Sequence, residues 1–239
     1  MAFHYSPRIK TDGLILYIDA ANNRSIIGTN SIYDISNTKN TLVANNNISL
    51  VSNHLYFRGA GPTGVTTSNV DYIYVGGTNS SYCNLSQVTL EAWCNPDITN
   101  LYQYLFSNSR DISQPGLNGY ELYIRNGQVR FQIANNGVIS VTSPNFLIPI
   151  NVWSHIAATY DGLDLKVYIN GILKITTNSS MGIGIPSTTG MFIGRMGFVG
   201  GMGYYAYKGY IDISRIYNRA LSSSELFENY NAQKTRFGL

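Results

Sequence analysis

Thirteen acidic side chains, three histidines and two cysteines are the groups with which this chain of 239 residues could do chemistry. Hydrolysis of a glycosidic bond with retention needs an acid and a nucleophile about 5–5.5 Å apart. Glu91 and Glu121 sit inside strand-like segments, but each is isolated within a different hairpin. His4, His54 and His155 offer no H-x-x-x-H spacing for a metal. His155 shares a strand face with Trp153 and Ala157, so it reads as a satisfied strand histidine rather than a base. Neither a phosphate loop nor a Cys/His cluster is present, and one sequence supports no argument for a Ser/His/Asp arrangement. No catalytic residue is assigned, and an enzyme is not expected.

Binding groups are a different matter. Asp71, Asp161 and Asp164 are weak calcium candidates, because calcium takes about six to eight oxygen ligands. Asp161 is better explained as the first residue of the Asp161-Gly162 turn, so neither a metal nor another cofactor is expected. The segment 196–209, MGFVGGMGYYAYKG, is a long Gly/Met/Tyr loop, and such loops on rigid sheets are common homes for function. Tyr204, Tyr205 and Tyr207 can stack on sugar rings or on a neighbouring subunit, with Phe198 and Met202 adding adaptable apolar area, and Arg195 reads equally as a surface residue or a polar anchor. The competing reading is that the loop folds over the body and buries its own aromatics. Of the two partner types a subunit is preferred, since Tyr and Met enrichment marks protein interfaces.

The elements that must position these residues are strands. LILYID (14–19), HLYFR (54–58), DYIYV (71–75), TLEAWC (89–94), YELYIR (120–125), QVRFQIA (128–134), WSHIAATY (153–160), LKVYIN (165–170), MFIG (191–194) and YIDISRIY (210–217) alternate apolar with polar or aromatic positions, the mark of strands covered on one face. Asn126-Gly127, Asn136-Gly137, Asp161-Gly162 and Asn170-Gly171 supply the positive φ of tight antiparallel turns. Two packed antiparallel sheets follow. One helix is predicted from about Ser223 to about Gln233, opened by a capping box between Ser222 and Glu225 with Leu221 and Leu226 as a hydrophobic staple. Residues 59–70 read as a loop, and 1–12 and 232–239 as segments without clear structure, open to use as arms.

Composition fits this picture. Charged residues make up 12% and apolar ones 44%, with 19 Tyr and 23 Gly, enough apolar surface to order one all-β domain. A net charge of +3 without a basic run implies no nucleic-acid partner. No apolar stretch approaches the roughly 20 residues that span a bilayer, and the opening MAFHYSPRIKTDG has no targeting pattern. Cys94 continues the inward series Val88, Leu90, Ala92, and a straight strand separates it from Cys83, so both read as free thiols folded in a reducing compartment.

VTLEAWCNP (88–96), NVWSHIAATYDGLDLKVYINGIL (151–173) and GYIDISRIYNRALSSSELFENY (209–230) closely resemble the laminin-G-like jelly-roll domains of the concanavalin-A-like superfamily. The resemblance spans roughly 13–231. It implies an all-β, antiparallel two-sheet jelly-roll sandwich with one short C-terminal helix, flanked by an arm (1–12) and a tail (232–239). GLILYIDAANNRS (13–25), YDIS (33–36) and NYNAQKTRFGL (229–239) look like the stand-alone versions among tailed-bacteriophage structural proteins. That likeness implies a head-decoration or tail-associated virion protein, folded in the host cytoplasm, whose partners are other virion proteins and copies of itself. The alternative is an adhesin module for host surface glycans. Two departures matter. Family hydrolases carry E-x-D-x-x-E, whereas Tyr210–Arg215 holds one acid, and the F-D-G-x-D-D-Y region of relatives lacks two carboxylates here, which weighs against family-style calcium binding.

Overall fold

The computed structural model describes residues 8–27, 31–45, 48–59, 70–76, 82, 84–108, 117–186, 190–197 and 205–239. Its strands begin with β1 (Leu14–Asp19), β2 (Ile26–Ile27), β3 (Ser31–Ile32), β4 (Thr41–Asn45), β5 (Ser49–Val51) and β6 (His54–Arg58). The middle of the chain supplies β7 (Tyr72–Gly76), β8 (Val88–Pro96), β9 (Gln103–Ser107), β10 (Gly119–Arg125), β11 (Gln128–Asn135) and β12 (Val138–Thr142). Then come β13 (Ser154–Tyr160), β14 (Asp164–Ile169), β15 (Ile172–Asn178), β16 (Met191–Ile193) and β17 (Lys208–Tyr217), before helix α1 (Ser223–Gln233) and a 3₁₀ turn (Lys234–Phe237).

Three tight hairpins are built as their Asn-Gly pairs dictate. Asn126, Asn136 and Asn170 take φ of 50°, 49° and 52°, and Gly127, Gly137 and Gly171 follow at 76°, 84° and 73°. Positive φ at both central residues gives the turn whose twist matches antiparallel strands. Asp161-Gly162 differs. The Asp161 carboxylate makes that turn by accepting from the amides of Leu163 and Asp164 at 3.0 and 2.7 Å.

Two antiparallel sheets result. One runs β15-β14-β13-β8-β17-β6-β5, with β1 also paired to β17, and the other runs β12-β11-β10-β9-β16-β7-β4. The core lies between them. Leu90, Ala92, Cys94, Ile156, Ala158 and Val167 of the eight-stranded sheet meet Ile73, Val75, Phe106, Ile124, Phe131 and Ile193 of the seven-stranded one. Each such buried aliphatic or aromatic side chain contributes about 1.5–3 kcal/mol. A bulge in β17 between Ile211 and Ile213 changes which residues face inward. Ile211 pairs with Cys94 on the core face, whereas Ile213 pairs with Trp93 on the outer face. Arg215 and Tyr217 then follow Ile213 outward, opposite Glu91 and Thr89.

The outer face of the eight-stranded sheet is covered by α1 and the 3₁₀ turn. The Ser222–Glu225 capping box is present, and Leu221 and Leu226 pack on Ala157, Tyr168 and Tyr217. Residues 232–239, expected without structure, instead close over the sheet. Phe237 stacks on Trp93 at 4.1 Å between ring centres, and Gly238 ends the turn in the left-handed region. Burial of an aromatic ring outweighs the short, polar character of the segment. Residues 1–7 of the expected N-terminal arm lie outside the described residues. Among the described residues no helix is long and apolar enough to cross a membrane.

Candidate functional site

Beneath α1 lies a fully buried polar cluster. Glu91 Oε1 is 2.8 Å from His155 Nε2 and accepts from Arg215 Nη1 at 2.9 Å, while Asn229 Nδ2 donates to Oε2 at 2.9 Å. Burial pushes the Glu91 carboxyl upward, but Arg215, then His155 and Asn229, outweigh it and hold it at about 2. Glu91 and Arg215 are both 0% exposed, so no substrate reaches them. This is a structural clamp. It fastens β8, β13 and β17 to the helix through Asn229, and it holds His155 as a buried strand residue by its Nε2 alone.

Two carboxylates do share one place at the rim of the same sheet. Arg236 donates to Asp19 at 2.6 Å and to Asp212, and His54 Nδ1 lies 3.1 Å from the other Asp212 oxygen. Burial raises the Asp212 carboxyl against the opposing pull of Arg236 and His54. A shallow cleft of roughly 410 Å³ lies beside them, lined by Asp19, Ala21, Asn22, Asn23 and Arg236. The guanidinium occupies the space between the acids, and Asp212 has no exposed side-chain surface. The arrangement is an ion-pair bridge rather than an acid and nucleophile flanking a bond.

The outer face of the seven-stranded sheet is built differently. Outward positions of its strands carry aromatic and guanidinium groups in place of the usual small polar ones. Tyr74 packs tilted against Phe192 at 5.1 Å and Tyr72 tilted against the same ring at 5.7 Å, and the Arg195 guanidinium lies 4.5 Å over Tyr72. A second group joins Tyr102, Tyr104, Tyr123 and Tyr205, with Tyr102–Tyr205 edge-on at 4.8 Å, Tyr104–Tyr123 stacked at 4.8 Å and Arg125 4.4 Å over Tyr102. Tyr104 and Tyr123 are buried, and Tyr72, Tyr74, Tyr102, Phe192 and Tyr205 are half-buried, offering ring edges and faces to solvent. Between the groups runs the Arg195–Gly197 turn, fixed where the Gly197 amide donates to Ser107 Oγ at 2.9 Å. Ser107 in turn donates to Glu121 at 2.9 Å, so that acid is buried beneath the face. Burial pulls the Arg195 guanidinium below its ordinary value, with Tyr72 opposing.

Sequence reasoning reaches part of this face. Arg195 and Tyr205 lie on it, joined by the Arg195–Ala206 bridge. Tyr207 does not. It is fully buried between the sheets, edge-on to Phe57 at 6.3 Å, on the opposite face from Tyr205, with which strict alternation would have grouped it. Phe198, Met202 and Tyr204 lie outside the described residues. The weak calcium candidates are engaged by cations of the protein itself: Asp71 is buried under a bidentate pair with Arg58, at 2.9 and 2.6 Å, while Asp161 and Asp164 lie together 3.1 and 3.2 Å from Lys166. Among the described residues no three His, Cys, Asp or Glu side chains gather to hold a metal.

The sequence matches the Laminin_G_3 family, described as the concanavalin A-like lectin/glucanases superfamily, over residues 67–227. This chain belongs to that superfamily. A search of curated proteins gives no match. Solved structures share the jelly-roll: the botulinum neurotoxin serotype D binding domain is 17% identical with a TM-score of 0.68, covering 93% of this chain and 51% of that one. The serotype D ligand-binding domain in complex with N-acetylneuraminic acid is 18% identical with a TM-score of 0.68, covering 93% and 52%. The binding domain of neurotoxin DC in complex with SialylT is 15% identical with a TM-score of 0.65, covering 93% and 52%. The chain thus spans about half the length of these domains, and their likeness is one of fold. Tyr72, Tyr74, Tyr102, Tyr104, Tyr123 and Phe192 were not singled out from sequence. Their signal was present in DYIYV and YELYIR, where tyrosine occupies the outward positions that a wetted sheet gives to polar residues.

Proposed function

We propose that this jelly-roll is a non-catalytic carbohydrate-binding module whose site is the outer face of the seven-stranded sheet. The carrying observation is the set of half-buried rings, Tyr72, Tyr74, Phe192, Tyr102 and Tyr205, held on strands and a pinned turn with Arg195 and Arg125 against them. An apolar, aromatic surface with few polar anchors is the common composition of small-ligand sites, and the C–H face of a sugar packs on such rings. Membership of a lectin-containing superfamily supports the reading. So do the solved neighbours: a serotype D ligand-binding domain in complex with N-acetylneuraminic acid, a neurotoxin DC binding domain in complex with SialylT, and neurotoxin type C, whose cell entry depends on interaction with two ganglioside molecules.

The virion role implied by the terminal segments draws no support from the family match or the solved neighbours. Its C-terminal attachment arm is, in addition, occupied in closing the protein's own sheet through Phe237. The test is a glycan array with purified protein, run with and without calcium, beside the variants Tyr102→Ala and Phe192→Ala. Calcium-independent binding that both substitutions abolish, at unchanged melting temperature, is the expected result. No binding under either condition, or binding indifferent to both rings, would count against the proposal.

A further inference from the structure

Arg58, Arg215, Arg219 and Arg236 each pair with a carboxylate. Arg125, Arg130 and Arg195, all half-buried on the outer face of the seven-stranded sheet, have no carboxylate partner among the described residues. The supply of acids explains why. Of the thirteen acidic residues only Asp111 lies outside the described ones. Glu121, the acid of this face, lies buried and accepts from Ser107. Arg195 instead rests on the rings of Tyr72 and Phe192 and donates to the carbonyls of Met196 and Gly197 at 3.0 and 3.4 Å. On β11 the buried Nε of Arg130 and Nε2 of Gln132 have no acceptor. Among the described residues the face therefore carries three half-buried guanidinium groups against one buried carboxylate, and a charge drawn out of water costs free energy that an opposite charge offsets.

We infer that the ligand of this face is an acidic sugar, whose carboxylate seats on the Arg195 guanidinium while its ring and neighbouring sugars pack on the flanking tyrosines. The inference rests on the carbohydrate-binding reading and adds the ligand's class. A guanidinium presents two parallel N–H donors to a carboxylate, and charge-assisted bonds of this kind are roughly twice as strong as neutral ones. The half-buried setting strengthens the attraction relative to open water.

The test uses matched probes on the full chain by titration calorimetry: sialyllactose against lactose, and an oligogalacturonate against its methyl ester. The acidic member of each pair should bind roughly tenfold or more tightly, as a charge-assisted bond predicts. That advantage should shrink as salt rises, and it should vanish in Arg195→Gln while Arg195→Lys keeps part of it. If acid and neutral members bind alike, or Arg195→Gln retains the preference, the inference is overturned and the carbohydrate reading stands. If no probe binds and the Tyr102→Ala and Phe192→Ala variants behave as wild type on the array, both fall. The ester comparison needs no variant, so it decides the matter even should Arg195→Gln fold poorly.

Discussion

Replacing Glu91 by Gln keeps the shape of the buried clamp and removes its charge. The carboxylate takes contacts from His155, Arg215 and Asn229 at 2.8–2.9 Å, so the amide would leave the wholly buried Arg215 without a counter-ion. Breaking a buried pair by removing one partner costs about 3–5 kcal/mol. An independent route gives a similar figure: a carboxyl held at about 2 rather than its ordinary 4.5 corresponds to about 3 kcal/mol of stabilisation. For a chain of this size, that predicts a melting temperature lowered by about 6–20 °C. Because Asn229 ties the cluster to α1, hydrogen exchange should rise first in residues 223–237. The sign with pH follows. The folded value lies below the unfolded one, so wild type holds this contribution above about pH 4.5 and loses it as the pH falls toward 2. Glu91→Gln should be nearly flat over that window as far as this group is concerned. A double replacement, Glu91→Leu with Arg215→Met, should recover much of the loss, because an apolar pair removes both desolvation penalties. Urea melts of the three variants decide it. A Glu91→Gln cost under about 1 kcal/mol, or a double variant no better than the single, would refute the clamp.

Three further outcomes are expected. Phe237→Ala should cost about 3 kcal/mol and shift tryptophan emission to the red, since it uncovers the Trp93 ring 4.1 Å away. Gly171→Ala should cost about 1–2 kcal/mol from its φ of 73° alone, and a new Cβ would meet Tyr230 and Phe227 at 3.0–3.1 Å, so a thermal melt should show the loss together with loosening of α1. In a Cys83→Ser background Cys94 should stay unreactive to a thiol reagent until the protein unfolds, because burial pushes its thiol up to about 12.

The sandwich was legible because its signals are local. Asn-Gly pairs set left-handed turns, alternation set strands such as Leu14–Asp19 and His54–Arg58, and Ser222 with Glu225 set the helix start. Short edge strands such as Ser49–Val51, with one half-buried residue between two exposed ones, carried too little pattern to be seen. The β17 bulge defeats strict alternation, so the partnership of Arg215 with Glu91 appears only once β17 is laid beside β8. The aromatic face was half legible. Arg195 and Tyr205 were found from loop composition, whereas the strand tyrosines belong to a surface assembled from segments more than a hundred residues apart, as Tyr72 and Phe192 are. Composition could not distinguish Tyr205 from Tyr207, and alternation would have put them on one face, whereas the chain turns Tyr205 outward and Tyr207 into the core.

Both extremities of the described chain come to rest on the same side. The Lys10 amide reaches Asn229, Asp12 pairs with Arg219, and Arg236 reaches back to Asp19. That side is the sheet sealed by α1, and the ring-bearing sheet looks the other way. A tether joined at either terminus, or at both, would therefore leave from the back of the molecule and hold the aromatic surface forward, clear of whatever carries it. Multiple copies fixed to one support would all display that surface outward, so weak single contacts could add up without any rearrangement of the fold.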